Sequence, residues 1–86
     1  MNQIELLHQA ASNGNTDAMW ELGTRYLEGN QLTQDAHEGE RWLRNAAEMG
    51  DVASMRALGW RYLRGDGLTQ NIEEGNRWLK KAREMK

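Results

Sequence analysis

Few residues in this chain have the types and spacing that chemistry requires. There are two histidines, His8 and His37, and no cysteine. A metal centre needs ligands brought together by suitable spacing. Neither histidine has a second histidine or a thiolate so placed, and both are expected on exposed helix surfaces. Ser12 and Ser54 fall near turns, with no His–Asp pair to activate either hydroxyl as a nucleophile. Carboxylates gather at Glu38 with Glu40 and at Glu73 with Glu74. Both clusters open predicted helices, where negative charge offsets the helix dipole, and that role accounts for them. The nine glycines follow the spacing of a repeat, not that of a phosphate-binding loop. The expectation is a protein that is not an enzyme and that carries no cofactor and no metal.

The elements that position these residues are legible from composition. A chain of 86 residues allows one domain. Apolar residues are 38% of it, an ordinary globular share. Val, Ile and Thr together number seven, which is poor material for a sheet. Leu, Ala, Glu, Arg and Met are plentiful and favour helix, and no proline interrupts one. No apolar run approaches the roughly 20 residues of a membrane span. The segment Met1–Leu7 contains Glu5 and no basic residue, unlike a signal peptide, so a soluble cytoplasmic protein is expected. The net charge of −2 argues against nucleic acid as the main partner.

Apolar periodicity places helices over 3–13, 16–28, 36–49, 52–64 and 72–85. Met19, Leu22, Gly23 and Tyr26 share one face at helical spacing, as do Gly39, Trp42, Leu43, Ala46 and Met49. Asn15, Asp35, Asp51 and Asn71 are the expected N-caps. Glu38 and Glu74, three residues after Asp35 and Asn71, complete the pattern of a capping box. Gly14, Gly29, Gly50 and Gly65 suit the left-handed residue that ends a helix. Gly67 is expected at positive φ, and Gln31 holds the equivalent place. A distorted first loop is therefore expected, since a non-glycine there costs about 1 kcal/mol.

The chain also repeats itself. Residues 15–50 align with residues 51–86 without a gap, and 18 of the 36 pairs are identical. Among them are Met19/Met55, Leu22/Leu58, Tyr26/Tyr62 and Trp42/Trp78. Leu7, Ala10, Ala11 and Gly14 fall 36 positions before Leu43, Ala46, Ala47 and Gly50. The reading is one domain over 1–86: a half-repeat helix at 1–14, repeat one at 15–50 and repeat two at 51–86. Leu22, Tyr26, Leu43, Leu58, Tyr62 and Leu79 are the expected core. Trp42 and Trp78 lie on the same buried stripe. Arg25, Arg41, Arg61 and Arg77 recur and are expected in structural ion pairs.

The run Ala18-x-x-x-Leu22-Gly23-x-x-Tyr26-x-x-Gly29, then Leu32-x-x-Asp35, then Gly39-x-x-Trp42-x-x-x-Ala46-Ala47-x-x-Gly50, resembles the Sel1-like repeat, a relative of the tetratricopeptide repeat. The second copy shows Ala57, Leu58, Gly59, Tyr62, Gly65, Asp66, Gly67, Leu68, Gly75, Trp78 and Ala82. Gly39 and Gly75 depart from the alanine usual in the family, Gln31 from a loop glycine, and Arg83 from an alanine. The resemblance implies an all-α, right-handed α-solenoid of helical-pair repeats with five helices, because each pair must stack to bury its apolar face. Arg83 and Lys86, at the places of Ala47 and Gly50, are expected to close the stack and, with Lys80 and Lys81, to complement the last helix dipole. The sequence is accordingly expected to be complete.

The resemblance further implies a protein–protein interaction module, an adaptor holding a peptide or partner protein. The alternative reading is a small inhibitor or immunity-type protein that docks on an enzyme and blocks it. Scaffold residues recur, so partner contacts are sought where the repeats differ. Trp20, Thr24, Leu27 and Glu28, with their equivalents Arg56, Trp60, Leu63 and Arg64, form such a face on the first helices. By resemblance this is the concave side. The competing expectation is that both tryptophans cover neighbouring helices, with Arg56 stacked on Trp20. Charge is unevenly divided: residues 15–50 carry −4 and residues 51–86 carry +3. This suggests an acidic partner segment, or head-to-tail self-association.

Overall fold

The computed structural model describes residues 2–85. It contains five helices: α1 (Gln3–Ser12), α2 (Thr16–Glu28), α3 (Ala36–Glu48), α4 (Val52–Arg64) and α5 (Ile72–Glu84). There is no strand among the described residues. Each helix packs on its neighbours in chain order, giving a stack of helical pairs measuring 38 × 25 × 13 Å.

The caps explain the boundaries. Asn15, Asp35, Asp51 and Asn71 hold extended backbone. Each accepts a hydrogen bond on its side chain from the N–H three residues on, at 3.0–3.1 Å. The expected capping boxes at Glu38 and Glu74 are only half formed. The N–H of Asp35 already donates to the Tyr26 carbonyl at 2.9 Å, and that of Asn71 to the Tyr62 carbonyl at 2.8 Å. Glu38 and Glu74 turn instead to Arg41 and Arg77. A complete box stands at the start of α1, between Asn2 and Glu5.

The first loop is not distorted, contrary to expectation. Gln31 takes φ 66°, close to the 77° of Gly67. Its side-chain oxygen accepts a hydrogen bond from Arg25, an anchor that helps hold the left-handed backbone. The two loops share their other bonds. Gln34 Nε2 donates to the Leu27 carbonyl at 2.8 Å, and Gln70 Nε2 to the Leu63 carbonyl at 2.9 Å.

Glycines set the distance between paired helices. A Cβ on Gly39 would lie 2.6 Å from Leu27 and 2.9 Å from the Gly23 carbonyl oxygen. A Cβ on Gly75 would lie 2.7 Å from Leu63 and 2.8 Å from the Gly59 oxygen. The backbones therefore touch where the family's usual alanine would not fit.

The core divides in two. Ala11, Met19, Leu22, Trp42 and Ala46 join α1, α2 and α3, while Leu43, Met55, Leu58, Tyr62, Trp78 and Ala82 join α3, α4 and α5. Two expected core residues are only half-buried. Leu79 sits on α5, which has α4 alone against it. Tyr26 packs against the edge of the first cluster. Trp42 and Trp78 are buried, although neither indole N–H has an acceptor; the ring area is what holds them. Lys86, expected near the end of α5, lies outside the described residues.

Candidate partner-binding surface

The candidate residues of α2 and α4 separate into those that face outward and those that do not. Trp20, Thr24 and Glu28 follow one another at single-turn spacing along α2; Arg56, Trp60 and Arg64 do so along α4. Trp20 is 40% exposed and Trp60 is 47% exposed, high for rings of this size. The expected stack of Arg56 on Trp20 does not form. Arg64 instead lies over Trp60, 5.0 Å from the ring centroid, and Arg56 remains exposed. Glu28 is exposed and pairs with Arg61 at 3.0 Å, tying α2 to α4. Thr24 is half-buried.

Leu27 and Leu63 do not belong to this outward set. Leu27 is 2% exposed. It packs against Gly39, and Leu63 makes the same contact with Gly75. Leu63 stays half-buried because nothing on its far side matches the loop that covers Leu27 through Gly67 and Leu68. These leucines are identical in the two repeats because they serve the helix pairs.

A polar seam links α1 to α2 and α3 to α4. His8 Nε2 lies 2.9 Å from the Tyr26 hydroxyl, and the His8 ring meets Tyr26 and Trp42 edge to face. Thus His8 is half-buried and structural, not a free surface residue; His37 is exposed as expected. Arg44 holds the same relation to Tyr62, donating to its hydroxyl at 2.5 Å. The Tyr62 hydroxyl itself donates to Glu40, and Arg44 also reaches Glu74 at 3.7 Å. Burial, then the hydrogen bond to Glu40, push the Tyr62 phenol up to about 12. Sequence reading missed His8; the signal was its place 18 residues before a tyrosine, as Arg44 is before Tyr62.

The remaining candidates are also structural. Ser54 is buried, and its hydroxyl donates to the Asp51 cap at 2.5 Å. Arg25 pairs with Glu21 at 2.8 Å and Arg41 with Glu38 at 3.1 Å. Among the described residues no group of His, Cys, Asp and Glu could hold a metal ion. No helix described is long and apolar enough to cross a membrane.

A family model for the Sel1 repeat matches residues 4–15, 16–51 and 52–86. No curated protein matches the chain. Among solved structures, it is similar to a protective antigen of uropathogenic Escherichia coli strains that displays an SLR fold. That match has a TM-score of 0.88 and 38% identity, covering 96% of this chain and 18% of that one. It is similar also to a Sel1 repeat protein from Oxalobacter formigenes, with a TM-score of 0.86 and 30% identity over 96% of this chain and 63% of that one. Cysteine rich protein B of Helicobacter pylori shares the fold alone, at 19% identity and a TM-score of 0.86, covering 99% of this chain and 66% of that one. This chain thus spans less than two thirds of each. Its fold is of a kind that mediates protein–protein contacts. The helical pairs, the glycine contacts between them and the matched residues lead to one conclusion: the chain belongs to the Sel1 repeat family.

Proposed function

We propose that the chain binds a peptide or partner protein through the face of α2 and α4 that carries Trp20 and Trp60, with Thr24, Glu28, Arg56 and Arg64 around them. The observation that carries this reading is the exposure of both tryptophans on consecutive first helices. No neighbouring helix of the stack covers either ring, and a partner seated on both would remove their exposed apolar area from water. Trp and Arg are the residue types that dominate interface energies. Leu27 and Leu63 act beneath this face as its support, not as contacts.

The test compares wild-type protein with Trp20→Ala/Trp60→Ala as bait in the native host. A partner held by wild type is expected to be lost from the double variant, with the thermal midpoint nearly unchanged. Retention by the double variant would overturn the reading. A tight one-to-one complex that silences an enzyme would assign the role of inhibitor; weaker capture of several peptides would assign that of adaptor.

A further inference from the structure

On the helices that do not carry the tryptophan face, α3 and α5 enclose a groove of about 500 Å³. Its lining includes Arg44, Arg77, Lys80 and Lys81, with Trp78 between them. Glu48 and Glu84 line it too. Their order along the helices matters. On α3, Arg44 precedes Glu48 by one turn. On α5, Arg77, Lys80 and Lys81 all precede Glu84. The cations therefore lie toward one end of the groove and the carboxylates toward the other, offset at the rise of a helix by about 10 Å from Arg77 to Glu84 and by about 5–6 Å from Lys80 and Lys81 to Glu84.

The scaffold uses only part of this charge. Arg44 is engaged with Tyr62, Glu40 and Glu74, and Arg77 pairs with Glu74 at 3.0 Å. Among the described residues, no carboxylate lies within 4.0 Å of Lys80 or Lys81. Lys81 rests over Trp78, 5.6 Å from the ring centroid. Both ammonium groups thus line the groove unpaired, with Glu84 one turn further along α5.

We infer that this groove is a second binding site, for a peptide segment with carboxylates facing Arg77, Lys80 and Lys81 and a basic residue facing Glu48 and Glu84. The charge order selects that occupant. A nucleic acid presents one sign of charge along its whole length, and its phosphates would meet Glu48 and Glu84 at the far end. A peptide of mixed charge satisfies both ends and can enter in one direction only, since reversing it sets like charges together.

The probe is a labelled peptide, Glu-Glu-Glu-Ala-Gly-Lys, titrated by fluorescence anisotropy at low salt and followed by the indole N–H signals in a nitrogen–proton correlation spectrum. Binding is expected to move the Trp78 signal and leave those of Trp20 and Trp60 in place. Lys80→Glu/Lys81→Glu, both on exposed positions, is expected to weaken binding by about tenfold or more with the fold retained and a melting midpoint lowered only slightly, because carboxylates near the end of α5 oppose its dipole. Glu48→Lys/Glu84→Lys is expected to reverse the preference, so that a hexaglutamate peptide binds better than the probe. The inference is overturned by equal affinity of wild type and Lys80→Glu/Lys81→Glu, by equal binding of the peptide with glutamine for glutamate, or by tighter binding of an oligouridine RNA. Shifts at Trp20 and Trp60 alone would also overturn it, while supporting the face of α2 and α4.

Discussion

Tyr62 shows how much one side chain of the scaffold depends on its neighbours. Its hydroxyl donates to Glu40 and accepts from Arg44, so the neutral phenol is the form the fold selects. The folded group titrates at about 12, above the ordinary 10.0. A raised folded value means that the native state keeps its proton where the unfolded chain has lost it. The resulting stability is complete below about pH 10 and is lost as pH rises through about 12. Denaturation curves collected across that window should show falling stability, and Tyr62→Phe should flatten the fall. An equally steep fall in Tyr62→Phe would assign it to other groups. Tyr26 is also raised, by burial and then by Glu38 and Asp35, and gives the smaller background that remains. Neither anchor was legible in the sequence. Repetition identified the tyrosines but not their partners, because His8 and Arg44 share a position and not a residue type.

At the scale of the element, the contact between α4 and α5 rests on Gly59 and Gly75. A methyl group on Gly75 would stand 2.8 Å from the Gly59 carbonyl oxygen, which cannot rotate away as a side chain can. Gly75→Ala is therefore expected to lower stability by about 1–2 kcal/mol, overpacking outweighing the roughly 1 kcal/mol that alanine gains in a helix. A denaturation midpoint unchanged or raised would show that the helices can part at little cost. Helix positions were legible because periodicity, caps and terminal glycines agreed at every boundary. Two local features were not. The capping boxes at Asp35 and Asn71 fail because the carbonyls of Tyr26 and Tyr62, on the preceding helix, take the N–H that Glu38 or Glu74 would need. Gln31 fits its loop because Arg25 holds it. Both outcomes turn on contacts that local pattern does not encode. The candidate face was legible at Trp20 and Trp60, whose exposure follows from their angle on the helix. At Leu27 it was not, because the loop of the next repeat covers that side chain.

For the whole molecule, position in the stack decides what a residue is worth. Helices α2, α3 and α4 each have a neighbour on both sides, whereas α1 and α5 have one. In such an array stability is a sum of nearest-neighbour terms. Leu43 and Leu79 occupy equivalent sites, yet Leu43 is fully buried and Leu79 is half-buried. Leu43→Ala removes packing from α2 and α4 at once and should cost about 2–5 kcal/mol. Leu58→Ala, fully buried in the same cluster, should fall in that range too. Leu79→Ala removes packing from α4 alone and leaves a site open to water, so no closed cavity remains. Its cost should be less than half that of Leu43→Ala when both are read from urea denaturation with a shared slope. Equal costs would mean that α5 is covered on its outer side in solution, by a second copy or by chain beyond this segment. A concentration-dependent midpoint would then identify the second copy, since only an intermolecular cover is lost on dilution.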